Sequence, residues 1–245
     1  MTESEIFYIS GEPLTVPDSA LRLHKDIVAE LRVLLECRTS NPLDIGFRSG
    51  FEKVLSIYDA YQKETLIANG KQISCRAGCS CCCAHWVEDV NSFEIQIIVD
   101  YIKKYMPRQV GEIIRTCKED IAAMENLEKI VDEKLAALDT QAEIDSSLLL
   151  LSSFYQLERP CPLLTSQGQC SVYSVRPVTC RIYMNLSDPI RCSTSNINYG
   201  EVVTCVLDMQ EEANELLDEL HLKFRRGGGC SALRAGIWEE LNGTA

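Results

Sequence analysis

Five cysteines stand within nine residues of this chain, from Cys75 to Cys83, and no other feature of the sequence restricts the fold as strongly. The whole chain has 13 cysteines and only three histidines. Bridged α-carbons lie about 4.4–6.8 Å apart with a restricted torsion angle, so five such close neighbours cannot all be bridged to one another. The odd total and the lack of a signal-peptide pattern in residues 1–10 also disfavour a disulfide scaffold. Thiols clustered in this way are more often metal ligands or redox groups.

A second group of cysteines lies far along the chain. It consists of Cys161, Cys170, Cys180 and Cys192, at spacings of 9, 10 and 12 residues. These spacings are too wide for a single metal knuckle, but they suit strands and turns that meet at one site. Because closely spaced cysteines on the first loop leave a four-ligand ion incompletely bound, the second loop is the expected partner.

The composition is that of a globular protein. Of the 245 residues, 46% are hydrophobic and 24% are charged, and we expect a single mainly helical domain over residues 1–245. A net charge of −12 repels phosphate backbones, which argues against nucleic-acid binding as the main function. No stretch approaches the roughly 20 apolar residues that a membrane helix needs. We therefore expect no nucleic-acid or membrane partner and a cytoplasmic location.

Apolar residues recur every three or four positions along most of the chain, which predicts a mainly α fold. The expected architecture is a helical bundle with two irregular Cys-rich loops that converge on a metal site. Short strands at residues 171–173 and 179–183 could accompany the second loop. The Cys-cluster core would cover about residues 75–200, between N- and C-terminal helices. After an irregular start over residues 1–18, the predicted helices cover residues 18–39, 46–69, 92–106, 109–139, 141–156 and 201–224, with a last helix carrying Leu233, Ile237 and Leu241.

The predicted helix over residues 109–139 is the longest, at roughly 45 Å. Such a length favours packing against another helix. The favoured interpretation is a helix of the chain's own bundle, and the alternative is a surface for a protein partner.

Two arginines lie next to cysteines of the second loop. Four thiolates around a divalent metal leave a net charge near −2, which the guanidinium groups of Arg176 and Arg181 could offset while donating hydrogen bonds. The alternative is that both arginines pair with surface carboxylates. His85 is a candidate fifth ligand or a solvated side chain, and Glu94 either approaches the cluster or stabilises a helix start near Ser92.

Adjacent cysteines complicate a site with one ion. Neighbouring side chains diverge, so Cys82 and Cys83 seldom bind the same tetrahedral metal. Either one of them is structural, or the two reach separate ions. Cys37 and Cys117 lie on apolar helix faces and are interpreted as small core residues.

The motifs of the two loops together resemble the CxxCxxCC cysteine-cluster family, also called YkgJ-like and described as a zinc- or iron-chelating domain. The resemblance covers roughly residues 75–192. In the first loop it is carried by Cys-x3-Cys-x2-Cys-Cys. In the second loop it is carried by Cys-Pro-Leu-Leu, Gly-x-Cys, Val-Tyr and Arg-Pro-x-x-Cys-Arg, which correspond here to Cys161–Leu164, Gly168–Cys170, Val172–Tyr173 and Arg176–Arg181.

The resemblance implies that these cysteines bind zinc, iron or an iron–sulfur cluster. It also implies kinship with flagellin lysine methylase. This chain departs from the family pattern by the additional Cys81 and by the long helical stretch between the loops. The implied metal ligands are Cys75, Cys79, Cys82, Cys83, Cys161, Cys170, Cys180 and Cys192.

Three functions are consistent with these features. The first is a protein that chelates zinc or iron, which closed four-sulfur sites favour. The second is an iron–sulfur enzyme of redox or protein-modifying type, which the surplus of thiols over four would suit. The third is a helical scaffold with incidental cysteines. No Ser-His-Asp order, P-loop or dinucleotide-binding glycine motif is present, so the sequence leaves open whether the protein is an enzyme.

Overall fold

The computed structural model describes residues 6–7, 13–76, 78–137, 145–194, 204–226 and 232–243. The described chain is mostly helical, as predicted, and it also contains two short antiparallel strand pairs. The helices are α1 (Asp18–Glu36), α2 (Ile45–Ala68), α3 (Ser92–Tyr105), α4 (Val110–Ala136), α5 (Ser146–Gln156), the single turn α6 (Thr179–Ile182), α7 (Glu211–Phe224) and α8 (Leu233–Asn242). The strands are β1 (Ile6–Phe7), β2 (Pro13–Leu14), β3 (Tyr183–Asn185) and β4 (Thr204–Val206).

The helix ends follow local capping chemistry. The Asp44 side chain accepts hydrogen bonds from the backbone N–H groups of Gly46 and Phe47, which begins α2. Gly70, with φ +62°, adopts the left-handed conformation beyond the end of the same helix. At α3 the capping residue is Asn91, one position before the predicted Ser92, and it forms a reciprocal capping box with Glu94.

The predicted helix over residues 201–224 is wrong in its first half. Residues 204–206 form β4, which pairs antiparallel with β3 so that Cys205 lies opposite Met184. Tertiary pairing with β3 has overridden the local pattern there, and α7 begins only at Glu211. The strand predicted over residues 179–183 begins later, at Tyr183, because its first part forms α6. The strand predicted over residues 171–173 is also wrong, since a 3₁₀ helix covers Tyr173–Val175.

At the N-terminus, β1 pairs with β2 in a region predicted to be irregular. Residues 15–17 are irregular as predicted, and residues 1–5 and 8–12 lie outside the described residues. None of the described helices is both long and apolar enough to cross a bilayer.

The core lies where α2, α3 and α7 meet. Phe47, Phe51, Phe93 and Phe224 pack edge-on or stacked with ring centroids 4.6–6.5 Å apart. Helix α1 lies against α2 and α7 on one side, and α8 lies between α3 and α4 on the other. The first cysteine loop leaves the end of α2 and returns to the start of α3, so both of its ends are fixed by this core.

The long helix α4 packs against α5 and α8 of the same chain. This is the arrangement expected of a bundle helix. A protein partner for residues 109–139 stays a prediction.

Candidate metal centre

The two cysteine-rich stretches lie against each other. We call residues 74–86 the first cysteine segment and residues 159–192 the second. The backbone N–H and the hydroxyl of Ser74 both donate to the carbonyl of Asn185 at 2.9 Å, and the Asn185 N–H donates to the Cys75 sulfur at 3.4 Å. Gly168 packs so closely on the first segment that an added Cβ would lie 3.2 Å from the carbonyl of Gly78. Residues more than 80 positions apart in sequence therefore share one surface.

All twelve described cysteines are free thiols. This agrees with the sequence argument against a disulfide scaffold. Three of them, Cys81, Cys82 and Cys83, are consecutive in a 3₁₀ helix, Cys81–Ala84. The Cys81 sulfur lies 4.0 Å from the carbonyl of Pro189 in the second segment.

Thiols of the second segment act on those of the first through their charge. Burial and, after it, the nearby thiols of Cys81, Cys75 and Cys79 together raise the pKa of Cys192 to about 11. Burial also raises the pKa of Cys180, with additional contributions from Cys161 and from Cys82 and Cys170. Such effects weaken with distance, so they agree with the backbone contacts between the two segments.

Adjacent Cys82 and Cys83 behave as a coupled pair. The hydrogen bond from the Cys83 thiol lowers the pKa of Cys82, and the positive charge of Arg176 lowers it further. The same hydrogen bond, followed by burial, raises the pKa of Cys83. Of the two thiols, Cys82 is therefore the one that ionises first, and the thiolate is the form that binds metals.

Backbone N–H groups also stabilise thiolates here. The N–H groups of Leu163 and Val172 donate to the sulfurs of Cys161 and Cys170, each two residues earlier in the chain. These bonds oppose the effect of burial, which raises the pKa of both thiols. Amide donors of this kind are common around metal-bound sulfur.

The two arginines predicted to flank the site have different surroundings. The Arg176 guanidinium lowers the pKa of Cys75, Cys82, Cys170 and Cys180 against the effects of burial and neighbouring thiols. Its Nε is buried and has no hydrogen-bond partner among the described residues. Arg176 therefore faces thiols of both segments with an unused donor.

Arg181 instead forms a structural ion pair. It is buried, and its guanidinium bonds both carboxylate oxygens of Asp59 at 3.0 and 3.1 Å and the carbonyl of Arg176 at 2.9 Å. The predicted pairing with a carboxylate thus holds for Arg181, although its charge also lowers the pKa of Cys170, whereas Arg176 lowers the pKa of four thiols. The sequence treated the two arginines alike because both lie close to a cysteine.

Buried polar side chains attach the second segment to the helices. The amide of Gln62 in α2 donates to the carbonyl of Arg181 at 3.0 Å. The fully buried carboxylate of Glu94 in α3 accepts from the Val178 N–H at 2.9 Å as well as from Asn91. The Tyr155 hydroxyl of α5 donates to the carbonyl of Cys192. Glu94 is therefore a cap and an anchor, and its oxygens bond donors other than thiols.

A buried charged cluster, which the sequence interpretation missed, joins the two segments. Arg234 of α8 and Asp120 of α4 are each 1% exposed and form a 2.7 Å ion pair. The Arg234 guanidinium also donates to the carbonyls of His85 at 2.6 Å, Arg159 at 3.0 Å and Cys83 at 3.5 Å. Arg159 completes the cluster by donating to Asp120.

A sequence signal for this cluster existed. Asp120 falls on the apolar stripe of α4, between Cys117 and Met124, and Arg234 follows Leu233 in the stripe of α8. A lone acid and a lone base on two buried helix faces suggest a buried pair, since charges are seldom buried singly.

The remaining candidates lie at the edge of the site. The His85 ring stacks on Tyr155 with centroids 4.0 Å apart, and burial lowers its pKa. Cys117 is buried as predicted, whereas Cys37 is half-buried at the end of α1. Cys205 is buried in β4, and Cys230 lies outside the described residues.

The donor set suits a thiophilic metal, but its sulfurs are not yet gathered at ligand distance. Within the described parts of the chain, no three Cys, His, Asp or Glu side chains stand where they could together hold one ion. The thiols of both segments, the amide donors and the unused Nε of Arg176 nevertheless match what a thiolate-bound cation requires.

Comparison with known proteins gives one match. The model of a family described as "CxxCxxCC: Putative zinc- or iron-chelating domain" matches residues 74–206, which is more than half of the chain. This range holds both cysteine segments. Neither curated proteins nor solved structures give a significant match, so kinship with flagellin lysine methylase stays a prediction.

Proposed function

This chain belongs to the CxxCxxCC family, and we propose that it chelates zinc or iron between its two cysteine segments. The proposed ligands come from Cys75, Cys79, Cys82 and Cys83 of the first segment and Cys161, Cys170, Cys180 and Cys192 of the second. Zinc and iron–sulfur clusters both accept four thiolates, so the same residues serve either form of the metal.

The observation that carries this proposal is the position of Arg176. Its guanidinium lowers the pKa of two thiols in each segment, and its Nε is buried without a hydrogen-bond partner among the described residues. A buried unpaired donor is costly, because its bonds to water are lost without replacement. Metal-bound thiolates would supply both the missing acceptor and the negative charge that Arg176 offsets.

Metal binding would also close the site. No three Cys, His, Asp or Glu side chains of the described residues stand close enough to hold one ion, so a bound ion would draw the segments together. Cys75 and Cys82 are exposed, and the first segment is therefore the part with room to move. A site that completes itself around the ion is usual, because metal binding and folding are coupled.

The test is the metal content of the full chain purified without oxygen. We expect about one metal centre or more per chain, measured by elemental analysis together with acid-labile sulfide. Colourless protein with zinc supports a chelating site, and brown protein with iron and sulfide supports a cluster. Protein that folds fully and binds neither metal on reconstitution contradicts the proposal.

Three variants test the ligands. Cys79→Ser and Cys180→Ser should each lose bound metal, because each removes a thiolate from one of the two segments. Cys37→Ser is the control, since Cys37 lies at the end of α1, outside both segments. Equal metal retention in all three variants would rule out the proposed ligand set.

A further inference from the structure

Helix α5 carries no charged side chain. Its sequence is Ser-Ser-Leu-Leu-Leu-Leu-Ser-Ser-Phe-Tyr-Gln, whereas each of the other described α-helices holds at least one Asp, Glu, Lys or Arg. Surface helices usually place charged and polar residues on the face opposite the core. In α5 only Phe154 and Tyr155 are buried, and its solvent-facing side offers leucine, serine and glutamine instead of charges.

The buried side chains of α5 fix the helix in place. The Tyr155 ring stacks on His85, and the Tyr155 hydroxyl donates to the carbonyl of Cys192. Phe154 packs edge-on against Trp86, and α5 also packs along α4. The exposure of its leucines is therefore not the result of a loosely attached helix.

Five residues define the outer face of α5. Leu149, Ser152 and Gln156 recur at three- and four-residue spacing, so they lie along one line of the helix, and Leu148 and Leu157 flank that line. All five are exposed, Leu148 to 63%. Exposed leucines grouped on a surface without charges are typical of a protein interaction site.

We infer that the outer face of α5 binds the same face of a second copy of this chain. With a net charge of −12, two copies repel each other wherever their carboxylates meet. A two-fold dimer places the same patch on both sides of the contact, so α5 would meet another charge-free helix. A lipid surface fits less well, because helices that lie on membranes carry Lys or Arg beside their apolar face and α5 has neither.

The size of the contact predicts a weak dimer. Helix α5 has 11 residues and is therefore about 16 Å long. Two such helices that cross bury less than the roughly 800 Å² per partner of a standard interface. We therefore expect a reversible dimer with a dissociation constant of about 1–10 µM.

The first experiment measures the mass of the full-length chain by sedimentation equilibrium in a reducing buffer, which prevents disulfides between chains. Above the dissociation constant we expect twice the 27.5 kDa of one chain. Leu149→Glu should raise the dissociation constant about 100-fold, because it buries carboxylates without partners in the contact. Leu222→Glu is the matched control, since it alters another exposed leucine, on α7, and should leave the dissociation constant unchanged.

The second experiment tests whether α5 meets α5. Ser152 is exposed near the middle of the helix, so in a two-fold dimer it should lie close to its counterpart. Ser152→Glu and Ser152→Lys should each weaken the dimer, because like charges then face each other. An equimolar mixture of the two variants should dimerise again, since opposite charges meet. Circular dichroism checks that every variant keeps its helices.

Four results would overturn the inference. The first is an unaltered chain that is still monomeric at about 100 µM. The second is a dimer that Leu149→Glu weakens no more than Leu222→Glu does, and the third is a mixture of the Ser152 variants that dimerises no better than either alone. The fourth is flotation of the unaltered chain with phosphatidylcholine vesicles that Leu149→Glu abolishes, which would assign the outer face to lipid.

Discussion

The two cysteine segments are held in place by different means. The second segment is tied to α2, α3 and α5 by Gln62, Glu94 and Tyr155, and Arg181 pairs with Asp59. The first segment carries exposed thiols. It contacts the helical body through the carbonyls that accept from Arg234 and through the rings of His85 and Trp86, which pack on Tyr155 and Phe154 of α5. Side chains of the helices thus hold the second segment in place as a framework, and the first segment packs on that framework.

This difference indicates which of the two segments the free energy of metal binding would stabilise more. Buried, fully bonded polar groups define a geometry without any ligand, because breaking one leaves an unpaired group. Exposed segments with few such bonds open at low free energy. We therefore expect a bound metal to stabilise the first segment more than the second, because hydrogen bonds already hold the second segment in position without metal.

The largest loss of stability should come from removing Arg234, because its buried cluster contacts both cysteine segments. Arg234→Met removes the buried partner of Asp120 and the donor to three carbonyls, so we expect a loss of about 3–5 kcal/mol in the free energy of unfolding. The measurement is denaturant unfolding of the metal-free, reduced protein by circular dichroism. Arg115→Met is the matched control, since Arg115 pairs with Glu119 on the exposed face of α4 and should change stability by no more than about 0.5 kcal/mol. Equal stability of the two variants would show that the Arg234 cluster does not join the segments.

A smaller effect should follow from loosening the framework alone. Glu94→Gln places an amide where two carboxylate oxygens accept from Asn91 and Val178, so one donor loses its acceptor and we expect a cost of about 1–3 kcal/mol. The same unfolding measurement applies. Glu112→Gln, in the exposed first turn of α4, should be neutral within about 0.5 kcal/mol. A neutral Glu94→Gln would mean that the second segment does not depend on α3.

The smallest effect is expected in the first segment without metal. Cys75→Ser changes an exposed thiol and should alter the free energy of unfolding by less than about 0.5 kcal/mol. Cys161→Ser is its counterpart in the second segment. Because Cys161 packs against the core, burying a hydroxyl there should cost about 1 kcal/mol or more. If the two substitutions lower the free energy of unfolding of the metal-free protein equally, the proposed difference between the second segment and the first is wrong.

Most helices could be predicted because their apolar stripes are local. The predicted helices over residues 18–39, 46–69 and 109–139 agree with α1, α2 and α4 to within three residues at each end. The strand β4 could not be predicted in this way, since its partner β3 lies about 20 residues earlier and only pairing selects the extended form. Propensity over three residues is too weak to oppose such pairing.

The site shows the same division between local and distant information. The spacing of the cysteines and the resemblance to the CxxCxxCC family predicted that both segments carry the thiols. Because Arg176 and Arg181 both lie close to a cysteine in the sequence, the sequence predicted the same role for both. Only the position of Asp59 on α2, which pairs with Arg181, distinguishes them. The apolar stripes of α4 and α8 mark Asp120 and Arg234 separately, but the two lie 114 positions apart, and only the packing of the helices shows that they pair.

The sequence by itself determined which residues can bind a metal, because thiol chemistry belongs to each cysteine wherever it lies. It also determined that the surrounding chain is helical, since amphipathic periodicity is a property of neighbouring residues. The tertiary structure decided that the two cysteine segments lie against each other and which of the two arginines pairs with Asp59. These depend on buried ion pairs and hydrogen bonds between distant helices, and such contacts form only when the whole core packs.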